Sequence, residues 1–187
     1  EARKQLGIPV EEKILLFFGF IRKYKGLDLL FDAIHMLPAG SIGSYKLLVA
    51  GEFYEDRESY DEQIRRLEIS DRLILRTDFI PDSQVKNYLC AADVVVQPYR
   101  NATQSGVTPL AYHFEVPMIV TNVGGLPSLV PDGKEGLVAE PDAASIAGSI
   151  RRFFEMGPSH FLPALQEEKK KYTWSRMVEA IAEMGRE

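Results

Sequence analysis

The chain has 187 residues, 45% of them hydrophobic, and a formal net charge of -5. That is enough apolar material for one packed domain and does not require two. The acidic balance argues against nonspecific nucleic-acid binding, and no apolar run approaches the roughly 20 residues of a membrane-spanning helix. Cys90 is the only cysteine, so no intrachain disulfide can form. With no signal-peptide pattern at the amino terminus, a reducing, cytoplasmic compartment is expected, and Cys90 in Tyr88-Leu89-Cys90-Ala91-Ala92 is expected to be a small buried thiol.

Residues 13 to 19 (Lys-Ile-Leu-Leu-Phe-Phe-Gly) form a short apolar run that stops at a glycine, which predicts a fully buried strand. Leu27, Leu30, Phe31 and Ile34 stand at i, i+3, i+4 and i+7 and predict a helix. Arg22 and Lys25 therefore fall on the loop between the two. The same design repeats in Tyr45 to Gly51, followed by a charged helix over roughly 56 to 69. A third strand, Arg72 to Arg76, leads through Phe79-Ile80-Pro81-Asp82 into a short helix over 82 to 91, with Asp82 placed to cap it. Asp93 to Gln97 is a fourth strand, β-branched and buried. The polar loop from Tyr99 to Gln104 enters a helix over 105 to 115, and 117 to 121 make a fifth strand. Gly124-Gly125 breaks the chain before a sixth strand over 136 to 140 and a helix over 142 to 156. Strands alternating with helices at this spacing predict an α/β fold, a Rossmann-like doubly wound parallel sheet of about six strands flanked by helices.

Gly157-Pro158 separates this body, 1–157, from a helical tail, 158–187. Trp174, Met177, Val178 and Ile181 make one apolar stripe on that tail, suited to packing on the same domain or on a missing one. The run Glu167 to Lys171 reads as a solvated face.

In an open parallel sheet the loops at the carboxyl ends of the strands line the ligand crevice, and strands one and four flank the switch point of the common doubly wound order. Arg22 and Lys25 follow strand one, and Thr103, Gln104, Ser105, Gly106 and Val107 follow strand four. Arginine offers a bidentate fork to phosphate oxygens and lysine a mobile point charge. Gly19 ends the strand with a permissive backbone. Thr103, Gln104 and Ser105 carry side-chain donors, Gly106 permits close approach, and the helix start at Val107 presents free N–H groups. Together the two loops predict a diphosphate site; singly, each is also what a solvated surface or an ordinary serine cap presents. His35, His113 and His160 lack ligand spacing and no Asp-any-Asp pair occurs, so no metal is expected, while His113 behind the loop is a candidate supporting residue. Gly19-Phe20-Ile21-Arg22 lacks the close glycine spacing of a redox dinucleotide fold.

In order, the segments Gly19 to Gly26, Leu47 to Gly51, Asp78-Phe79-Ile80, Ala92 to Pro98, Val116 to Pro127, Asp132-Gly133, Gly136-Leu137-Val138 and Pro141-Asp142 resemble the carboxyl-terminal, donor-binding domain of the group 1 glycosyltransferases, a retaining family of GT-B architecture. The resemblance covers nearly the whole chain. It implies that a nucleotide-sugar is bound here as substrate, with its diphosphate on Arg22, Lys25 and the loop around Ser105 to Val107, and its nucleobase near Phe79 and Ile80. It further implies hexosyl transfer without metal or other cofactor, to a glycan or lipid-linked acceptor on an amino-terminal domain that this chain lacks, so that the isolated chain is inactive. Polysaccharide biosynthesis in the cytoplasm, with the full-length protein able to sit at the inner membrane face, belongs to the same implication. The family's glutamates fall at Ala102, Leu110 and Ser128 in this sequence, so three expected acidic groups are absent. That departure keeps open a noncatalytic nucleotide-binding domain, and an epimerase or phosphorylase on the same architecture is the other alternative.

Overall fold

A computed structural model describes residues 1–38, 40–103 and 105–170. Six parallel strands, β1 (Lys13–Phe18), β2 (Tyr45–Ala50), β3 (Leu73–Arg76), β4 (Val94–Gln97), β5 (Met118–Thr121) and β6 (Gly136–Ala139), lie in the order β3-β2-β1-β4-β5-β6. The order reverses between β1 and β4, which pair through Leu15 with Val94 and Leu16 with Val95. Continuous apolar runs form these strands because both sheet faces are covered, so every side chain of β4 and β5 is buried.

The longer helices are α2 (Leu27–Met36), α3 (Arg57–Leu67), α4 (Asp82–Ala91), α7 (Ala143–Met156) and α8 (Leu162–Lys169). The expected stripe of α2 is buried at Leu27, Leu30, Phe31 and Ile34. Its neighbours are α7 and α3, and right-handed crossovers place this layer on one sheet face and α4 with α5 (Val107–His113) on the other. Two short helices have too few residues to show a period in the sequence: α1 (Ala2–Leu6) and α6 (Leu126–Leu129). Arg3 anchors α1, donating to the carbonyls of Ala91 (3.0 Å) and Glu12 (2.8 Å) and pairing with Asp93 Oδ2 at 2.8 Å. The same carboxylate oxygen accepts the N–H of Ile14.

Three local expectations are corrected. Cys90 is exposed, because α4 buries Tyr88, Leu89 and Ala91 and the helical turn carries position 90 to the other side. Asp82 does not cap α4 through its side chain; Pro81 holds the cap position and Asp82 opens the helix, where its charge still favours the amino-terminal dipole. The run from Glu167 is not uniformly solvated either. Lys169 and Gln166 both reach Glu115, at 2.9 and 3.1 Å, and these bonds, Lys169 first, hold its carboxyl below the usual range. Phe161 and Leu165 are fully buried, and Phe161 stacks on Phe153 with centroids 5.1 Å apart. Residues 158–170 thus pack on the sheet domain, whereas Trp174, Met177, Val178, Ile181 and Lys171 lie outside the described residues.

At the end of α3, Glu68 adopts φ 53° and ψ 40°, a left-handed conformation that strains a residue with a Cβ. Its side chain is exposed. Glu68→Gly is therefore expected to stabilise the protein by about 1 kcal/mol, a rise of roughly 2–4 °C in a thermal melt.

Candidate functional site

Beyond β1 and β2 the two chains keep running side by side. Gly19 N–H donates to Ala50 O (2.9 Å), Ile21 N–H to Glu52 O (2.8 Å) and Tyr54 N–H to Ile21 O (3.1 Å). A short 3-10 turn, Lys23–Lys25, then leads through Gly26 into α2. The loop after β4 is tied directly to this turn. Arg100 N–H donates to Tyr24 O at 2.7 Å, the Arg100 guanidinium pairs with Asp28 at 2.6 Å, and the Tyr24 and Tyr99 rings meet edge to face at 6.2 Å. Gly26 packs so closely on Pro98 that a Cβ there would stand 1.9 Å from the Pro98 carbonyl oxygen. The two loops expected to converge across the switch point share one rim.

Between them lies a cleft of about 370 Å³. Of the residues singled out from the sequence, Gly19, Lys25, Phe79, Ile80, Ser105, Gly106 and Val107 line it. Arg22 does not. Its side chain is exposed and its guanidinium lies over the Tyr54 ring, 5.1 Å from the centroid. Thr103 is also exposed and borders a neighbouring depression with Tyr24, Asn101 and Ala102, and Gln104 lies outside the described residues. Sequence reasoning missed Tyr24, Glu52, Asp82 and Tyr99 in the wall. Their common signal is position, immediately beyond a strand's carboxyl end or at the start of the next helix.

Lys25 is half-buried, and among the described residues it makes no ion pair. Its ammonium stands 5.8 Å from the Tyr99 ring centroid and close under Gly19. Burial, and then the nearby charge of Arg22, hold its pKa below that of an ordinary lysine. A partly desolvated cation beside a second cation is unfavourable in the empty protein and favourable once an anion arrives.

Beneath the second loop sits a buried polar cluster. Ser105 Oγ donates to Gln97 Oε1 (2.6 Å) and accepts the Val107 N–H (3.2 Å), while Gln97 Nε2 donates to Thr108 Oγ1 (3.1 Å). The Tyr99 hydroxyl is 3.3 Å from Ser105 Oγ, and burial pushes its pKa up to about 12, so it stays neutral. This corrects the expected donor set. The Ser105 hydroxyl is turned inward, Val107 N–H is already bonded, and Pro109 has none, which leaves the amides of Gly106 and Thr108 as the remaining candidates on this turn. The cluster's purpose is to fix the loop. Ser105→Ala should destabilise the protein by about 1–2 kcal/mol in urea unfolding, because it strands the Val107 amide in the interior. His113, considered as a supporting residue, is exposed, meets the Phe114 ring edge to face and is not among the residues that line the cleft.

Of the three positions that lack the expected glutamate, Leu110 lines the cleft, Ala102 is buried under Gly124, and Ser128 is exposed on α6. Two other carboxylates, Glu52 and Asp82, do face the cleft. Among the described residues no group of three His, Cys, Asp or Glu is placed to hold a metal ion, and no helix is long and apolar enough to cross a membrane.

A family model described as glycosyl transferases group 1 matches residues 1–172. The chain belongs to this family. D-inositol 3-phosphate glycosyltransferase of Mycolicibacterium smegmatis is 30% identical over 187 residues, covering 96% of this chain and 41% of that protein. Sucrose-phosphate synthase of Thermosynechococcus elongatus superposes with a TM-score of 0.83 at 24% identity, over 99% of this chain and 47% of the other. Anabaena HepE, solved in complex with UDP-glucose, gives 0.81 at 20% identity, over 97% and 50%. The chain therefore spans less than half the length of the group 1 enzyme it matches by sequence, and the structural likenesses establish the shared fold, a Rossmann-like half of the GT-B architecture.

Proposed function

We propose that this chain is the donor-binding half of a retaining, hexosyl-transferring enzyme that takes a nucleotide-sugar and passes its sugar to a glycan or lipid-linked acceptor. The observation that carries the reading is Lys25: a half-desolvated cation with no ion-pair partner among the described residues, in a cleft at the sheet's switch point walled by two loops that are bonded to each other. Lys25, with Arg22 at the rim, would hold the diphosphate and stabilise the charge that grows on it as the sugar leaves. The amides of the turn at Gly106 would add donors. Phe79, exposed at 69%, and Ile80 offer the apolar wall on which a nucleobase can rest. The acceptor would be held by a separate amino-terminal domain, for which the relative has room, since this chain covers 41% of its length. The scheme needs no metal or cofactor, the nucleotide-sugar being the substrate, and the reaction would serve polysaccharide biosynthesis at the cytoplasmic side of a membrane.

Thermal-shift and calorimetric titration with UDP, GDP, ADP and their glucose conjugates tests it. One nucleoside diphosphate should bind well above its nucleoside, and the affinity should drop when Lys25 is removed. Equal binding of nucleoside and diphosphate would end the reading.

The lowered pKa of Lys25 sets a pH dependence. A bound diphosphate favours the ammonium and draws its pKa back up, so the complex retains a proton that the empty site releases first. Affinity should fall as pH rises through the empty site's lowered value, at a lower pH than an ordinary lysine would dictate. Titrations across alkaline pH check this, and a profile that matches free lysine contradicts it.

Leu110 facing the cleft where the family pattern has a carboxylate favours a second reading, a noncatalytic nucleotide-binding domain. Rejoined to its amino-terminal half, such a domain would bind donor without turnover, whereas an epimerase or phosphorylase would reveal itself in its products.

A further inference from the structure

Phe20, exposed at 47%, lines the cleft and meets Tyr54, exposed at 54%, just outside it. They are not stray core residues. Ile21 between Phe20 and Arg22 is fully buried and pinned on both sides, its N–H to Glu52 O and its carbonyl to Tyr54 N–H, with Ile21 bridged to Phe53. In extended backbone, alternate side chains share a face, and Arg22 is extended at φ -136° and ψ 148°. Phe20 and Arg22 therefore emerge together, opposite Ile21, and both meet the same ring. The Phe20 and Tyr54 centroids are 4.5 Å apart at 60°, and the Arg22 guanidinium lies 5.1 Å over Tyr54. Phe20 also lines the cleft, so this stack runs from the cleft wall to its rim.

Among the described residues Arg22 has no carboxylate ion-pair partner; Glu55, whose carboxylate bonds to this turn, accepts the Lys23 N–H instead. That choice of support matters chemically. A carboxylate would orient the guanidinium but neutralise it, and an arriving anion would have to displace it. An aromatic face orients the cation and leaves its charge available.

We propose that Tyr54, buttressed by Phe20, is a positioning residue that holds Arg22 at the rim, charged and ready for the diphosphate. The inference rests on the reading of Arg22 as a diphosphate ligand and adds the device that orients it. It makes the ring of Tyr54 the active part and its hydroxyl dispensable.

The test is a double-mutant cycle read by calorimetry, using whichever of UDP, GDP and ADP binds the wild-type chain most tightly, with the matching nucleoside as control. Tyr54→Ala should weaken diphosphate binding about two- to fivefold, the range of an exposed cation–π contact. Nucleoside binding should not change, and Tyr54→Phe should restore wild-type affinity. On an Arg22→Ala background, Tyr54→Ala should have no further effect. If Arg22→Ala weakens binding but Tyr54→Ala does not, the positioning role is overturned and the diphosphate site stands. An equal loss from Tyr54→Ala with and without Arg22 would overturn it in favour of direct stacking on the ligand. If Arg22→Ala has no effect while Lys25→Met does, Arg22 leaves the site and this inference goes with it. If none of the three diphosphates binds, the proposed function itself fails.

Discussion

Lys25→Met should weaken nucleoside-diphosphate binding roughly ten- to hundredfold, the loss of a charge-assisted contact of about 1.5–3 kcal/mol. The same substitution should raise, not lower, the melting temperature of the empty protein. Methionine keeps the apolar stem against Tyr99 and Gly19 while removing a half-buried cation that has no counter-ion among the described residues and feels the repulsion of Arg22. Opposite movements of affinity and stability are what a site built for an absent anion predicts. A parallel fall in both would mean that Lys25 is a structural residue, and the diphosphate assignment would not survive it.

Gly26→Ala should destabilise the protein by about 2–5 kcal/mol, combining a left-handed backbone with a steric collision. Gly26 has φ +67°, and the added Cβ would stand 1.9 Å from the Pro98 carbonyl oxygen, a backbone atom that cannot rotate away. The expected fall in melting temperature is on the order of 10 °C. Gly7→Ala is the control, with φ +68° and nothing within 4 Å of the added atom, so it should lose only the backbone part, about 1 kcal/mol. Similar losses at the two positions would show that the close approach of the loops is not what Gly26 supplies. Folded Gly26→Ala protein should also bind diphosphate poorly, since the collision pushes the Lys25 turn away from the loop after β4.

The sheet and most of its helices were legible because their signals are local. Apolar runs ending at Gly19 and Gly51 mark β1 and β2, and the stripe through Leu27 and Ile34 marks the face that α2 buries. Once the strand order is assumed, the loops carrying Lys25 and Ser105 must meet, and they do. What was not legible depends on partners distant in sequence. A serine before a glycine at a helix start reads the same whether its hydroxyl meets a ligand or, as here, Gln97 on the strand beneath. Arg22 looked like a cleft residue because nothing near it in sequence announces Tyr54, 32 positions on. Cys90 was misjudged from an apolar neighbourhood, although the spacing of Tyr88 and Leu89 already pointed it outward.

The bond from the Arg100 amide to the Tyr24 carbonyl, with the Asp28 pair beside it, welds the two loops into one body before any ligand arrives. Capture then demands little reordering of these loops, so the entropy surrendered on binding should come mainly from the ligand. If the chain is, as proposed, one half of a hinged enzyme, this rim should travel as a rigid jaw, and the flexing should occur elsewhere.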